Sequence, residues 1–130
     1  MYQVILLYVI LILHILGNIL NWHHTVLHFD TLMHFLGGFW IAMTATFFLK
    51  KYAKDLFKQH KLIEILFLIG ITMIIGFTWE LYEFLADNFI FNKVLLMQQS
   101  VTDIMTDLTA DFLGALIYSL IIRIFKFLNI

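Results

Sequence analysis

Hydrophobic positions in this chain run in long, nearly unbroken stretches and do not alternate with polar ones. Four stretches stand out, at about residues 2–20, 31–49, 62–85 and 101–128. The last is densest from Leu108 onward, with a lead-in from Val101. Each reaches the ~20 residues a helix needs to cross ~30 Å of hydrocarbon at ~1.5 Å per residue. The runs are too long and too continuous for transmembrane strands. The pattern predicts an all-α integral membrane four-helix bundle, one transmembrane domain over residues 1–130, with connections at 21–30, 50–61 and 86–100. The first stretch has no basic leader and no small-residue cleavage site, so it reads as a retained helix and not as a signal peptide.

Composition points the same way. Of 130 residues, 62% are hydrophobic and 13% charged, and the mean hydropathy is +0.94. A soluble domain is about half apolar and about a quarter charged. The formal net charge is −1, so no basic surplus points to nucleic acid, and the partner that composition names is the lipid bilayer. There is no cysteine, which excludes disulfides and thiol chemistry. There is no proline, so no span need be broken by one.

Lysine and arginine set the expected orientation. Lys50, Lys51, Lys54, Lys58 and Lys61 lie between the second and third stretches, and Arg123 and Lys126 at the end of the fourth. Only Lys93 falls elsewhere, so seven of eight positive charges share one side. The positive-inside rule makes that side cytoplasmic, with both termini on it and the 21–30 and 86–100 connections outside. Trp22, Phe29 and Trp79 then fall near the outer interface, where aromatic residues gather. The expected location is a cell membrane of the bacterial inner-membrane type, crossed several times.

The acids are distributed unevenly on this map. Of nine, only Asp55 and Glu64 fall on the cytoplasmic side. Asp30, Glu80, Glu83, Asp87, Asp103, Asp107 and Asp111 fall in or near the outer half. Asp30 and His34 are four residues apart on one helical face. "WELYEFLAD" places Glu80, Glu83 and Asp87 at i, i+3, i+7, and "DIMTDLTAD" places Asp103, Asp107 and Asp111 at i, i+4, i+8. His14, Asn18 and Asn21 form a polar stripe on the first span. Each of the four helices is thus expected to turn a polar face to a common site at the outer level. A charge at the bilayer centre costs at least ~2.5 kcal/mol, and no arginine lies near these acids. Either some of them carry protons or cations balance them. Hard divalent ions favour carboxylate oxygens, and zinc or manganese also accepts histidine.

Simpler roles compete for several of these residues. Asp30 is placed to cap the second helix and Asp103 the fourth. Glu83 and Asp87 could be surface acids among the headgroups, and whether Asp87 and Asp103 join the site stays open. His14 reads as a polar helix contact, and His23, His24 and His60 as ordinary loop residues. His34, Glu80, Asp107 and Asp111 lie deepest in their apolar runs. Gly37 and Gly38 beside His34, Gly76 before Glu80, and the Ala110–Gly114 spacing favour close helix approach.

The order "DTLMHFLGGF", "WELYEF", "DIMTDLTADFLGAL" resembles the VanZ-like families of small bacterial membrane proteins. Those carry an Asp-x-x-x-His-Phe element, then an acidic element, then Asp-x-x-x-Asn or Asp followed by Gly-Ala. The matching positions are Asp30, His34 and Phe35; Glu80 and Glu83; and Asp107, Asp111, Gly114 and Ala115. This chain has no arginine between the second and third elements and carries Trp-Glu-x-x-Glu where a Glu-x-x-Gln type occurs. It is therefore more similar to the uncharacterised inner-membrane relatives of VanZ. That family is linked to teicoplanin resistance, but the resemblance brings no biochemical activity with it.

The leading functional expectation is a hydrolase using a divalent metal (Mg, Mn or Zn) on a lipid-linked or head-group substrate at the outer face. Asp30, His34, Asp107 and Asp111 would be ligands, with Glu80 or Glu83 as general base. No P-loop, Gly-x-Ser-x-Gly elbow or His-Glu-x-x-His motif is present. The alternatives are a divalent-cation or proton transporter, and a non-catalytic membrane subunit or lipid-binding protein. An enzyme predicts a one-sided metal beside a lipid-sized groove, whereas a transporter predicts a continuous polar path.

Overall fold

A computed structural model of the chain describes residues 2–53, 60–90 and 100–127. Lys54, Asp55, Lys58 and Lys93 lie outside the described residues. The elements in order are α1 (Tyr2–Ile19), α2 (Trp22–Thr25), α3 (Phe29–Tyr52), α4 (Lys61–Leu85) continuing into a π-helical turn (Ala86–Ile90), and α5 (Val101–Phe127). α1, α3, α4 with its π turn, and α5 are each long and apolar enough to cross a membrane. The chain is a four-helix membrane bundle. Lipid offers no hydrogen bonds to a backbone, so each span must close its own i→i−4 ladder.

Helix ends depart from the apolar pattern in ways that local chemistry explains. The 21–30 connection is not an open loop. Asn21 (φ 56°) and His28 (φ 60°) both adopt the left-handed conformation, and α2 makes one helical turn between these corners. Asparagine and histidine are among the residues that tolerate this region. Asn21 follows the end of α1, its amide donating back to the Asn18 carbonyl at 3.3 Å. It therefore ends a helix and adds nothing to a functional stripe. Asn18 likewise donates to the backbone carbonyl of His14 at 2.9 Å.

Both expected aspartate caps are replaced by other residues. α3 starts at Phe29, with His28 at the N-cap making no side-chain cap bond, so Asp30 lies inside the first turn. On α5 the cap is Ser100, whose Oγ accepts the Asp103 amide at 3.1 Å. The first backbone bond of α5 runs from Ile104 to the Ser100 carbonyl. Asp103 sits three residues inside, where a carboxylate favours a helix start.

The densest packing joins α3 and α5, with α4 against both. α1 touches only α2 and α3 among the described residues. The expectation that all four spans face a shared site therefore fails for α1, and His14, Asn18 and Asn21 are exposed. Two glycines account for the α3–α5 approach. A Cβ on Gly114 would fall on the Phe35 carbonyl, and one on Gly38 on the backbone of Asp111. Without a hydrophobic drive between helices in lipid, such backbone proximity supplies the van der Waals contact that holds them together.

Below this contact lies an apolar core of Ala42, Leu68, Ala115 and Tyr118. The Tyr118 ring packs edge-on against Phe39 at 5.2 Å. Three buried hydroxyls at this depth donate within their own helices: Thr46 to the Ala42 carbonyl, Thr72 to Leu68 and Ser119 to Ala115, at 2.7–2.9 Å. This absorbs each donor without a partner helix.

Candidate metal centre

Three elements carry the acids to one end of the bundle. α3 brings Asp30 and His34 in its first two turns, α4 brings Glu80 and Glu83 in its last two, and α5 brings Asp107 and Asp111 in its second and third. His34, Glu80, Asp107 and Asp111 are 8%, 4%, 3% and 3% exposed, so all four are withdrawn from the surroundings of the bundle. Glu83 and Asp87 are buried as well, Asp87 within the π turn, which removes their reading as surface acids. Asp30 and Asp103 are half-buried.

His34 is the hub. Its Nδ1 lies 3.3 Å from Asp111 Oδ2, and its Nε2 lies 3.5 Å from Glu80 Oε1. The imidazole from α3 thus meets a carboxylate from α5 on one edge and one from α4 on the other. Asp111 is wedged in place: a Cβ on Gly76 of α4 would fall on its Oδ2, while Gly38 of α3 lies against its backbone. Only glycine at both positions lets the carboxylate reach between the helices to His34.

Beside this hub, Asp30, His34 and Asp107 each offer one donor atom, all within 4.8 Å of one another. Asp107 Oδ1 is buried and has no hydrogen-bond partner among the described residues. Two carboxylates ~5 Å apart repel by about 3 kcal/mol even at an effective dielectric of ~20, and a buried unpaired charge is costly in itself. A cation placed among the three groups would relieve both. The donor set of two carboxylates and an imidazole suits Zn or Mn, and Mg less well. Asp111 stands apart from this trio, in contact with His34 itself.

The remaining candidates are placed differently. Glu83 Oε1 accepts the Trp79 indole N–H at 2.8 Å, so it is tied along its own helix. Glu80 is the acid of α4 that reaches the histidine. One participant escaped the sequence: His23 of α2, whose Nδ1 lies 3.2 Å from Asp30 Oδ1. Its only signal was the left-handed propensity of Asn21, which folds the chain back over the start of α3. An open groove of about 660 Å³ between α3 and α5 is lined by Thr31, Phe35, Thr106, Ala110 and neighbouring residues, and Asp30, His34 and Asp107 are not part of its lining.

These features define a polytopic α-helical membrane protein with an acid–histidine cluster buried at one end of its bundle. A family model described as "Predicted membrane protein (DUF2238)" matches residues 2–126, and the chain belongs to that family. The match is to this family and not to a VanZ family. No curated protein and no solved structure matches the chain.

Proposed function

We propose that this protein is a divalent-metal-dependent hydrolase embedded in the membrane, acting at its outer face on a lipid-borne substrate. The observation that carries the reading is the Asp30–His34–Asp107 trio, with donors within 4.8 Å and a buried, unpartnered Asp107 Oδ1. In this reading those three residues hold the ion. Asp111 orients His34 through Nδ1, as carboxylates commonly do for metal-bound histidines. Bound there, the ion would polarise a phosphoryl or carbonyl oxygen and supply a water of lowered pKa. Glu80, whose Oε1 lies 3.5 Å from His34 Nε2, is the carboxylate that would accept a proton.

Four further observations support it. The groove between α3 and α5 runs over Thr31, Phe35 and Thr106, the sequence neighbours of the trio, and would give a chain-bearing substrate a place to lie. The buried cluster of Ala42, Leu68, Ala115 and Tyr118 lies beneath the site and favours a one-sided enzyme over a transporter, which would need a continuous polar path. The three motifs that resemble the VanZ-like families fall on these same residues. The lysines and Arg123 at the opposite end support, by the positive-inside rule, a site on the external side of the membrane.

The test begins with metal content of the purified protein, measured by elemental analysis under conditions that do not strip ions. Stoichiometric Mn or Zn in the parent, lost in Asp107→Asn and His34→Ala, is expected. Its absence from the parent overturns the metal reading. The hydrolase reading is tested with polyprenyl pyrophosphate and phospholipids in mixed micelles. Glu80→Gln is expected to keep the metal and lose turnover by about 100-fold or more, the usual scale of general-base catalysis. No metal-dependent release of phosphate or head group by the parent would sink it.

A further inference from the structure

The site has a participant outside the three main helices. We infer that His23 is a positioning residue: it holds the Asp30 carboxylate in the orientation that a cation requires. This rests on the cation-binding reading above and adds to it a support supplied by α2.

Asp30 needs such a support. It is half-buried, and the helix start does not fix it, because His28 occupies the N-cap and makes no side-chain cap bond. A carboxylate that swings freely about its last torsion spends part of its binding energy on being ordered. His23 Nδ1, 3.2 Å from Asp30 Oδ1, engages one carboxylate oxygen, and in this reading the other would take the ion. The same device, a second residue fixing a ligand through a hydrogen bond, typically contributes about 10–100-fold in metal affinity.

His23 is itself locked. Its ring stands edge-on to Phe29 at 5.0 Å and 87°, and edge-on to His14 at 5.8 Å and 74°. Gly17 of α1 leaves room for this stack: a Cβ there would come within 2.5 Å of the Phe29 ring and 3.3 Å of His23 Nε2. Nε2 is buried without a hydrogen-bond partner among the described residues. A neutral ring therefore carries its one proton on Nδ1, where an acceptor waits. The left-handed corners at Asn21 and His28 place α2 so that this edge faces Asp30. α1, which contributes nothing to the trio directly, thus serves it as a wall behind His23.

The experiment is a Mn²⁺ titration of the purified full-length protein in detergent, read by the electron paramagnetic resonance signal of free Mn²⁺. The parent is compared with His23→Ala, His23→Asn and His23→Gln. An asparagine amide nitrogen can occupy the place of Nδ1, whereas that of glutamine falls near Nε2. His23→Ala and His23→Gln are expected to weaken Mn²⁺ binding by about 10–100-fold, and His23→Asn to restore most of it. A purely structural role would lower thermal stability in step with affinity and would not separate asparagine from glutamine. Parent-like affinity in His23→Ala, or equal losses in the asparagine and glutamine variants, overturns the positioning role while the metal site stands. A parent that binds no Mn²⁺ overturns both.

Discussion

His34 illustrates how a single side chain ties distant segments together. It draws Asp111 and Glu80 to its two nitrogens from helices that follow it by dozens of residues. Spacing along the chain was enough to expect His34, Glu80, Asp107 and Asp111 inside the bundle, where they are buried, because polar residues deep inside apolar runs have few inexpensive places to go. It did not separate their roles. Asp107 and Asp111 are one turn apart on one face, and only the packing at Gly38 and Gly76 turns Asp111 toward the histidine. Asp111→Asn is therefore expected to weaken metal binding by about 10–100-fold, whereas Asp107→Asn removes stoichiometric metal. Isothermal titration with Mn²⁺ on both variants checks the contrast, and equal losses would contradict it. His23 was beyond reach of the sequence for a related reason. Its contact with Asp30 depends on two left-handed residues whose backbone angles no hydrophobic pattern encodes.

The four spans were legible at the scale of elements because apolar run length maps directly onto membrane thickness. Their ends were not, because caps are decided by single hydrogen bonds. Asp103 has the right residue type for a cap, yet Ser100 is the cap. Ser100→Ala is expected to cost about 1 kcal/mol, seen as a lower unfolding temperature in detergent, with metal affinity unchanged. An equal loss from Asp103→Ala with none from Ser100→Ala would reverse the assignment. The α3–α5 interface is less forgiving. A side chain on Gly114 meets the backbone of Phe35 and Phe39, which cannot rotate aside. Gly114→Val should destabilise by about 1–3 kcal/mol, in the range of overpacked cores, and lower metal occupancy by spreading Asp30 and His34 away from Asp107. Retained occupancy at parent stability would show that the helices have slack there. Sequence spacing singled out Gly114 as a packing residue, but α1's marginal seat, against α2 and α3 alone, was not visible in it. A polar stripe on α1 looks the same whether it faces a site or a headgroup.

At the scale of the whole molecule, polarity is distributed by end. Carboxylates and histidines gather where α3 and α5 begin and α4 finishes, and the described lysines with Arg123 lie at the other end. Reporters fused before Tyr2 and after Ile130 are both expected to be active in the cytoplasm. A periplasmic signal from either would invert the arrangement. The buried cluster of Ala42, Leu68, Ala115 and Tyr118 packs α3, α4 and α5 together between those two ends. In the metal-binding reading proposed above, that cluster would make the acid site a cul-de-sac, with one doorway for both arrival and departure. An ion held there would exchange with a single compartment and be blind to the concentration in the other. A chelator that cannot cross the bilayer should therefore empty the site completely in right-side-out vesicles and leave it loaded in inverted ones.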